Sequence, residues 1–515
     1  MIVAFVESPH DSRTGDWFYR THLPGLALAA AGARVVETNF LHQKARELCL
    51  RADVLVLNMS CDPDLLPLVA ARRAEGRPTV FELNDDVAFV QPANPLYAFF
   101  SNAENRRLLR LLAASCDALQ FSSAALAARY GYLNGRHLVF PNHLPGPLPP
   151  LSPRPAQGLV VGWGGSVGHR DDLAAVAGPL GAWVKQRPDV RLAVMADPQL
   201  RPVFAACPEA QLHWVPPGPM ERYTAFLQTL DVGVAPLMDT GFNRCRSDVK
   251  LLEYAAHGAV PVVQRLAPYE AALTEGLTGF GFRDTGDLLT ILSALHQDPK
   301  ARGEVARSAY RYVSTQRLMS QNVDARLAFY EGLWASGAPA RPSDNLFEDA
   351  CAWPGAEPNG NHVRLGFSAY ERLVYEALVT SQDREQTPAA LPALRAAEAL
   401  LPSEGTAARY LALFEPETRL ARLEGLARGA STSLSVWIDL GDARFDAGQV
   451  AGALEAFKHA ARLAPRWSVP LGRLAAVLAS QGAHAQAESF AVLARQNEAA
   501  VPEPLLGPRT FRAVR

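Results

Sequence analysis

Residues 243 to 263 read NRCRSDVKLLEYAAHGAVPVV, and five of them could do chemistry together: Arg246, Ser247, Asp248, Lys250 and Glu253. DVGVAPL before them and VPVV after them read as strands. Between the strands, Ser247 suits a helix N-cap and Gly258 a helix stop. Lys250 and Glu253 are three apart and share a helix face, while Leu251, Leu252, Ala255 and Ala256 take the packed faces. Paired cations at a helix start suit a diphosphate, and a carboxylate beside them suits a sugar diol. An ordinary surface pair would use the same spacing. The apolar strand on each side favours a central site instead.

A second stretch, GLVVGWGGSVGHRDDL at 158–173, runs from a strand through glycines into a helix starting near Asp171. Gly164 and Gly165 would let backbone N–H groups approach an anion, and the helix start adds partial positive charge. The pattern is neither GxGxxG nor a P-loop lysine motif, and a tight turn explains it equally well.

These stretches need elements to hold them. Apolar runs at 2–6, 34–37, 53–57, 79–82, 118–122 and 137–140 alternate with helix-like segments, which predicts a doubly wound α/β domain over 1–145. A proline-rich linker follows at 146–157. The alternation restarts and predicts a second Rossmann-like domain over 158–335, facing the first across a cleft. An irregular linker is expected at 336–364, then helices over 365–500 and a tail at 501–515. Within the helices, Trp437, Leu440, Gly441, Gly448, Ala453, Phe457, Ala460 and Pro465 fall on tetratricopeptide-repeat spacing. Gly482, Ala487 and Ala494 recur about 34 residues later. Such stacks offer concave surfaces to partner proteins.

Bulk properties narrow the function. A net charge of −2 over 515 residues gives no electrostatic case for nucleic acid. Six scattered cysteines without CxxC or ligand spacing argue for reduced thiols in a cytoplasmic protein, and against structural zinc. The N-terminus lacks a signal-peptide pattern, and no window is apolar enough to span a membrane. Peripheral membrane contact stays open.

The block DVGVAPLMDTGFNRCRSDVKLLEYAAHGAVPVV resembles the donor-site signature of the family 4 retaining glycosyltransferases, which have the GT-B fold. VVGWGGSVGHRDDL and TGFGF resemble further turns of their second domain, and TGDWFYRTHLPGLALAAAGARVV resembles their opening loop and helix. FELNDDVAFVQPANPLY, CDALQFSSAALAARY and FPN are similar to a subgroup of that family. The resemblance spans about residues 1–335. It implies transfer of a sugar, with retention and without a metal or other cofactor, from a UDP- or GDP-linked donor to an acceptor hydroxyl. Glu253 would bind the ribose, and Arg246 and Lys250 would meet the diphosphate. Gly164, Gly165 and Ser166 would contact the same phosphates, and Asn243, Ser247 and Asp248 would line the donor side. The family's second glutamate, eight positions before the first, is Cys245 here, with Asp248 as its nearest substitute.

Of the first-domain candidates, Tyr19 and Arg20 after the first strand and Asp85 and Asp86 at a strand end are expected on the acceptor side, and His22 joins Arg246 and Lys250 as a catalytic candidate. Among them His22 could bond sugar or acceptor, or simply cap its helix. The acceptor would be a protein recruited by the repeats, or a polysaccharide or lipid-linked glycan. A degenerate GT-B scaffold with working repeats is the contrasting reading, and Cys245 favours it.

Overall fold

The computed structural model describes residues 1–8, 15–151, 158–337, 345–381, 387–429 and 432–504. Parts of the linkers and tail named above (152–157, 338–344 and 505–515) lie outside the described residues.

The first sheet contains β1 (Ile2–Glu7), β2 (Arg34–Asn39), β3 (Val54–Asn58), β4 (Thr79–Leu83), β5 (Ala118–Phe121) and β6 (His137–Val139). Neighbouring strands are parallel, in the order β2-β1-β3-β4-β5-β6. VLVLN and TVFEL are buried along their whole length, as strands covered by helices on both faces require. The strand order reverses between β1 and β3, which opens a crevice outside their carboxyl ends.

The second sheet contains β7 (Leu159–Gly164), β8 (Val190–Met195), β9 (Leu212–Val215), β10 (Val232–Ala235), β11 (Val260–Gln264) and β12 (Phe280–Phe282). It is also parallel, in the order β12-β11-β10-β7-β8-β9, and reverses between β7 and β10. Gly233 lies under Tyr254: a Cβ there would stand 2.2 Å from the buried ring. That contact seats the helix Val249–Ala256 on the sheet.

Two boundaries differ from the sequence expectation. The helix Asp324–Ser336 leaves the second domain and packs on the first, where Val323, Tyr330 and Leu333 join Val3, Phe5 and Val56 in one cluster. The stretch expected to be irregular holds a helix, Leu346–Ala352, and a hairpin of β13 (Ala356–Asn359) and β14 (His362–Leu365). β14 pairs in parallel with β2, so the first sheet has eight strands. Pro358 disguises β13, but proline is tolerated on an edge strand.

The remainder of the described chain, from Ala369 to Ala499, is helical. The helices Leu434–Asp446 and Val450–Leu463 turn at Gly448, and Ser468–Ser480 and His484–Ala499 turn at Gly482, with φ of 72° and 77°. Gly441 makes room for Phe457, whose ring would lie 2.3 Å from a Cβ. This region is fastened to the first domain. Asp64 accepts from Ser435 N and Ser433 Oγ, each at 2.8 Å, and Glu371 accepts from Gln43 N at 3.0 Å. Leu434, Phe457 and Leu474 share an apolar cluster with Leu66, Leu109 and Leu112.

Candidate functional site

The helix Val249–Ala256 starts beyond the carboxyl end of β10, at the second reversal point. Glu253 is 4% exposed, yet both of its oxygens are engaged. Oε1 accepts from Tyr19 of the first domain at 2.9 Å, and Oε2 accepts from Tyr223 at 2.7 Å and Lys250 at 3.0 Å. Lys250 Nζ also lies 2.6 Å from the Tyr223 hydroxyl and 4.8 Å from the centre of its ring. Burial, then the charge of Glu253, pushes both the Tyr19 and Tyr223 hydroxyls well above their ordinary range, so both remain donors.

The other cation is held by a relay that the sequence did not reveal. Asp172 accepts from His169 Nδ1 at 2.9 Å, and His169 Nε2 faces Arg246 Nη1 at 3.2 Å. Burial, then the charge of Arg246, lowers His169 to about 4. The imidazole is therefore neutral, with Nδ1 donating to the carboxylate and Nε2 accepting from the guanidinium. Arg246 also lies 4.8 Å over the Phe242 ring, and its buried Nε has no hydrogen-bond partner. Asp172 and His169 stand in the glycine-loop stretch, but nothing in their spacing links them to Arg246.

The glycine loop works differently from a phosphate cradle. The Gly165 N–H donates to Met195 O at 3.1 Å, so it is spent within the sheet. A Cβ on Gly164 would stand 2.8 Å from Tyr223, so this glycine lets Tyr223 reach Glu253. Ser166 lies exposed ahead of the helix Arg170–Lys185.

Several expected site residues are committed elsewhere. Asp248 forms a two-pronged pair with Arg317 at 2.6 and 3.1 Å, which rules it out as a stand-in for the missing glutamate. Ser247 is not the cap; its hydroxyl accepts from Asn142 at 2.9 Å, and Asp248 occupies the cap position. Asn243 bonds Asp172 at 2.8 Å and Met238 O at 3.0 Å. Arg20 is 2% exposed and spends its guanidinium on Glu82, Phe140 O and Asn142. His22 bonds Glu37 at 2.7 Å and stacks on Trp17, so its partners belong to the first domain and not to the cations of the cleft.

Asp86 is fully buried and accepts from Tyr130 at 2.6 Å and Arg129 at 3.0 Å. Cys245 Sγ points to the same carboxylate at 3.7 Å, while Ser123 Oγ donates to Cys245 O at 2.8 Å. A glutamate at 245 would set a second carboxylate beside Asp86. Close by, a Cβ on Gly241 would meet Phe89 at 2.8 Å, so the loop after β4 docks onto the second domain here. The acidic strand end thus has two roles: Asp86 binds the domains together, and Asp85 stays half-buried facing the cleft. Burial raises the Asp85 carboxyl, and the charge of Arg246 offsets only part of that rise.

Asp16 was not foreseen. It accepts from Asn84 Nδ2. Desolvation, then the charges of Asp85 and Glu7, pushes its carboxyl up to about 7, even though the residue is exposed. Only its place in the loop after the first strand hinted at a role.

No family model and no curated protein matches the sequence. Among solved structures, the chain is similar to Anabaena Alr3699/HepE in complex with UDP-glucose, at 13% identity and a TM-score of 0.47, over 65% of this chain and 100% of that one. It is similar to sucrose-phosphate synthase from Thermosynechococcus elongatus at 15% identity and a TM-score of 0.49, with the same coverage. An E. coli protein bound with UDP-2-fluoro glucose, described as trehalose-6-phosphate, matches at 12% identity and a TM-score of 0.44, over 64% and 99%. Such identities and scores leave any functional reading to rest on this chain's own residues. Among the described residues no helix is long and apolar enough to cross a membrane.

Proposed function

We propose that the chain is a glycosyltransferase that moves a sugar from a UDP- or GDP-linked donor to an acceptor hydroxyl. The observation that carries this reading is the convergence at the second reversal point. One helix and the turn before it bring Arg246, Lys250 and Glu253 against the first domain, and the neutral His169 imidazole, backed by the Asp172 carboxylate, holds the guanidinium whose Nε is buried without a partner. A leaving diphosphate needs preorganised positive charge in an enclosed site, and these residues supply it without a catalytic metal. The ribose diol would bind Glu253 in competition with the Tyr19 hydroxyl. Retention of configuration and the kinship to family 4 rest on the sequence resemblance.

On the first-domain side, the acceptor proton is assigned to Asp16, an exposed carboxylate bonded to Asn84, whose carboxyl is pushed up to about 7 partly by Asp85. The helical region, read as tetratricopeptide-like, would present a protein acceptor, and its turns at Gly448 and Gly482 fit that repeat. Six free cysteines fit a cytosolic setting.

A scaffold reading draws on two contacts: Tyr19 occupying Glu253, and Cys245 closing onto Asp86. A panel of UDP-, GDP- and dTDP-sugars separates the readings. An enzyme releases nucleoside diphosphate and is stabilised by ~2.7 kcal/mol at about 100 times the dissociation constant. A chain that neither hydrolyses nor is stabilised by any donor is a scaffold.

A further inference from the structure

On the β2–β14 side of the first sheet, three side chains converge that the transfer reaction does not use. They are His22 at the end of the segment Phe18–His22, Glu37 on β2, and His362 on the hairpin strand β14. One ligand atom from each lies within 4.8 Å of the others. Their sequence positions are too far apart for any metal-spacing rule, and His362 lies in a stretch that reads as a linker.

Burial makes the cluster unusual. Glu37 is 1% exposed and His362 3%. Glu37 Oε1 lies 2.7 Å from His22 Nδ1, but its Oε2 is buried without a partner. His362 Nε2 stands 3.4 Å from Oε1, out of line for a hydrogen bond, and is also buried without a partner. Leaving a buried polar atom unsatisfied is costly. Two unpartnered ligand atoms in one buried His–Glu–His cluster point to an arrangement made for something other than hydrogen bonding. The imidazole centroids are 5.5 Å apart and the ring planes are inclined by 74°, so both rings can turn a nitrogen to one point.

We propose that His22, Glu37 and His362 bind one first-row divalent cation, zinc by preference, through two imidazole nitrogens and one carboxylate. Two imidazoles with a carboxylate suit zinc, which takes ligands at about 2.0–2.2 Å in a tetrahedral arrangement. Ligands at that radius stand roughly 3.4 Å apart, which the Glu37–His362 separation already matches. The Glu37–His22 pair opens from 2.7 Å by less than an ångström as the shared proton leaves. Glu37 also lines a cavity of about 300 Å³ with Glu7, Trp17 and Arg364, which gives access and room for water as the remaining ligand. The ion fastens the hairpin to the segment that carries Tyr19 and Arg20. It is a clamp on the first domain, separate from the cations of the cleft.

The test uses the full chain, purified without a histidine tag and stripped with chelator. Dialysis against Zn²⁺, Mn²⁺ or Mg²⁺ followed by elemental analysis should find about one zinc per chain and no retained magnesium. His362→Gln and Glu37→Gln should each weaken zinc binding by at least the ~10–100-fold that loss of a mere supporting partner costs. Zinc should raise the melting temperature of the parent and not of the variants. Equal zinc in parent and variants, or none in the parent, overturns the site and leaves a proton-bridged cluster. If the variants fail to fold, the parent alone decides: ring-nitrogen NMR shifts of the histidines must move at one equivalent of zinc, and unmoved signals overturn the proposal.

Discussion

The carboxyl ends of the two sheets differ in the charges left beside the cleft once the paired groups are set aside. Beyond the first sheet stand Glu7, Asp16 and Asp85; beyond the second stand Arg246 and Lys250. On the proposed function the difference is a division of labour: the second domain would take the leaving diphosphate, and the first the incoming hydroxyl and its proton. It also separates working charges from fastening ones. Asp86 and Arg20 are buried and fully engaged, whereas Arg246 keeps a buried donor unspent.

The sharpest break of this comparison is Lys250→Ala or Arg246→Ala. Either should lower kcat by ~10²–10³, as removal of a single transition-state donor does, with the fold retained. Turnover at parental rates would strip the second domain of its assigned role.

Next in size is Asp16→Asn. A base with a pKa near 7 is deprotonated only above that pH, so kcat/KM of the parent should climb with pH and level off above about 7. The variant should lose ~10²-fold and that ascending limb together. A parental limb that survives the substitution assigns the titration to another group.

Asp248→Asn probes a fastening charge instead. It leaves Arg317 short of its partner and should cost about 3 kcal/mol in chemical denaturation, with kcat nearly unchanged. A fall in kcat at full stability would return Asp248 to the donor site.

The smallest effect belongs to Tyr19→Phe. It frees Glu253 Oε1 for the ribose and should tighten donor binding about fivefold, or ~1 kcal/mol, by calorimetry. Weaker binding would make Tyr19 a donor contact and not a competitor.

Much of this layout was legible in the sequence because it rests on local signals. The apolar runs gave the strands of both parallel sheets, and glycine stops gave the helix ends. What escaped depends on contacts distant in sequence. Asp248 looked like a donor-side residue because Arg317 is far along the chain. Gly165 looked free because its N–H partner, Met195 O, lies on the neighbouring strand. The hairpin was hidden by Pro358, although Gly360–Asn361 between two short runs is a turn signal that could have revealed it.

The fastening of the helices has a mechanical consequence. Asp64, Glu371 and the shared apolar cluster tie the helical array to the first domain. If the two sheets swing apart to admit a nucleotide sugar, the array travels with the first as a single arm. A partner held by the arm would then be carried off with the first sheet and returned to the same spot on closure, its reach set by the angle of opening.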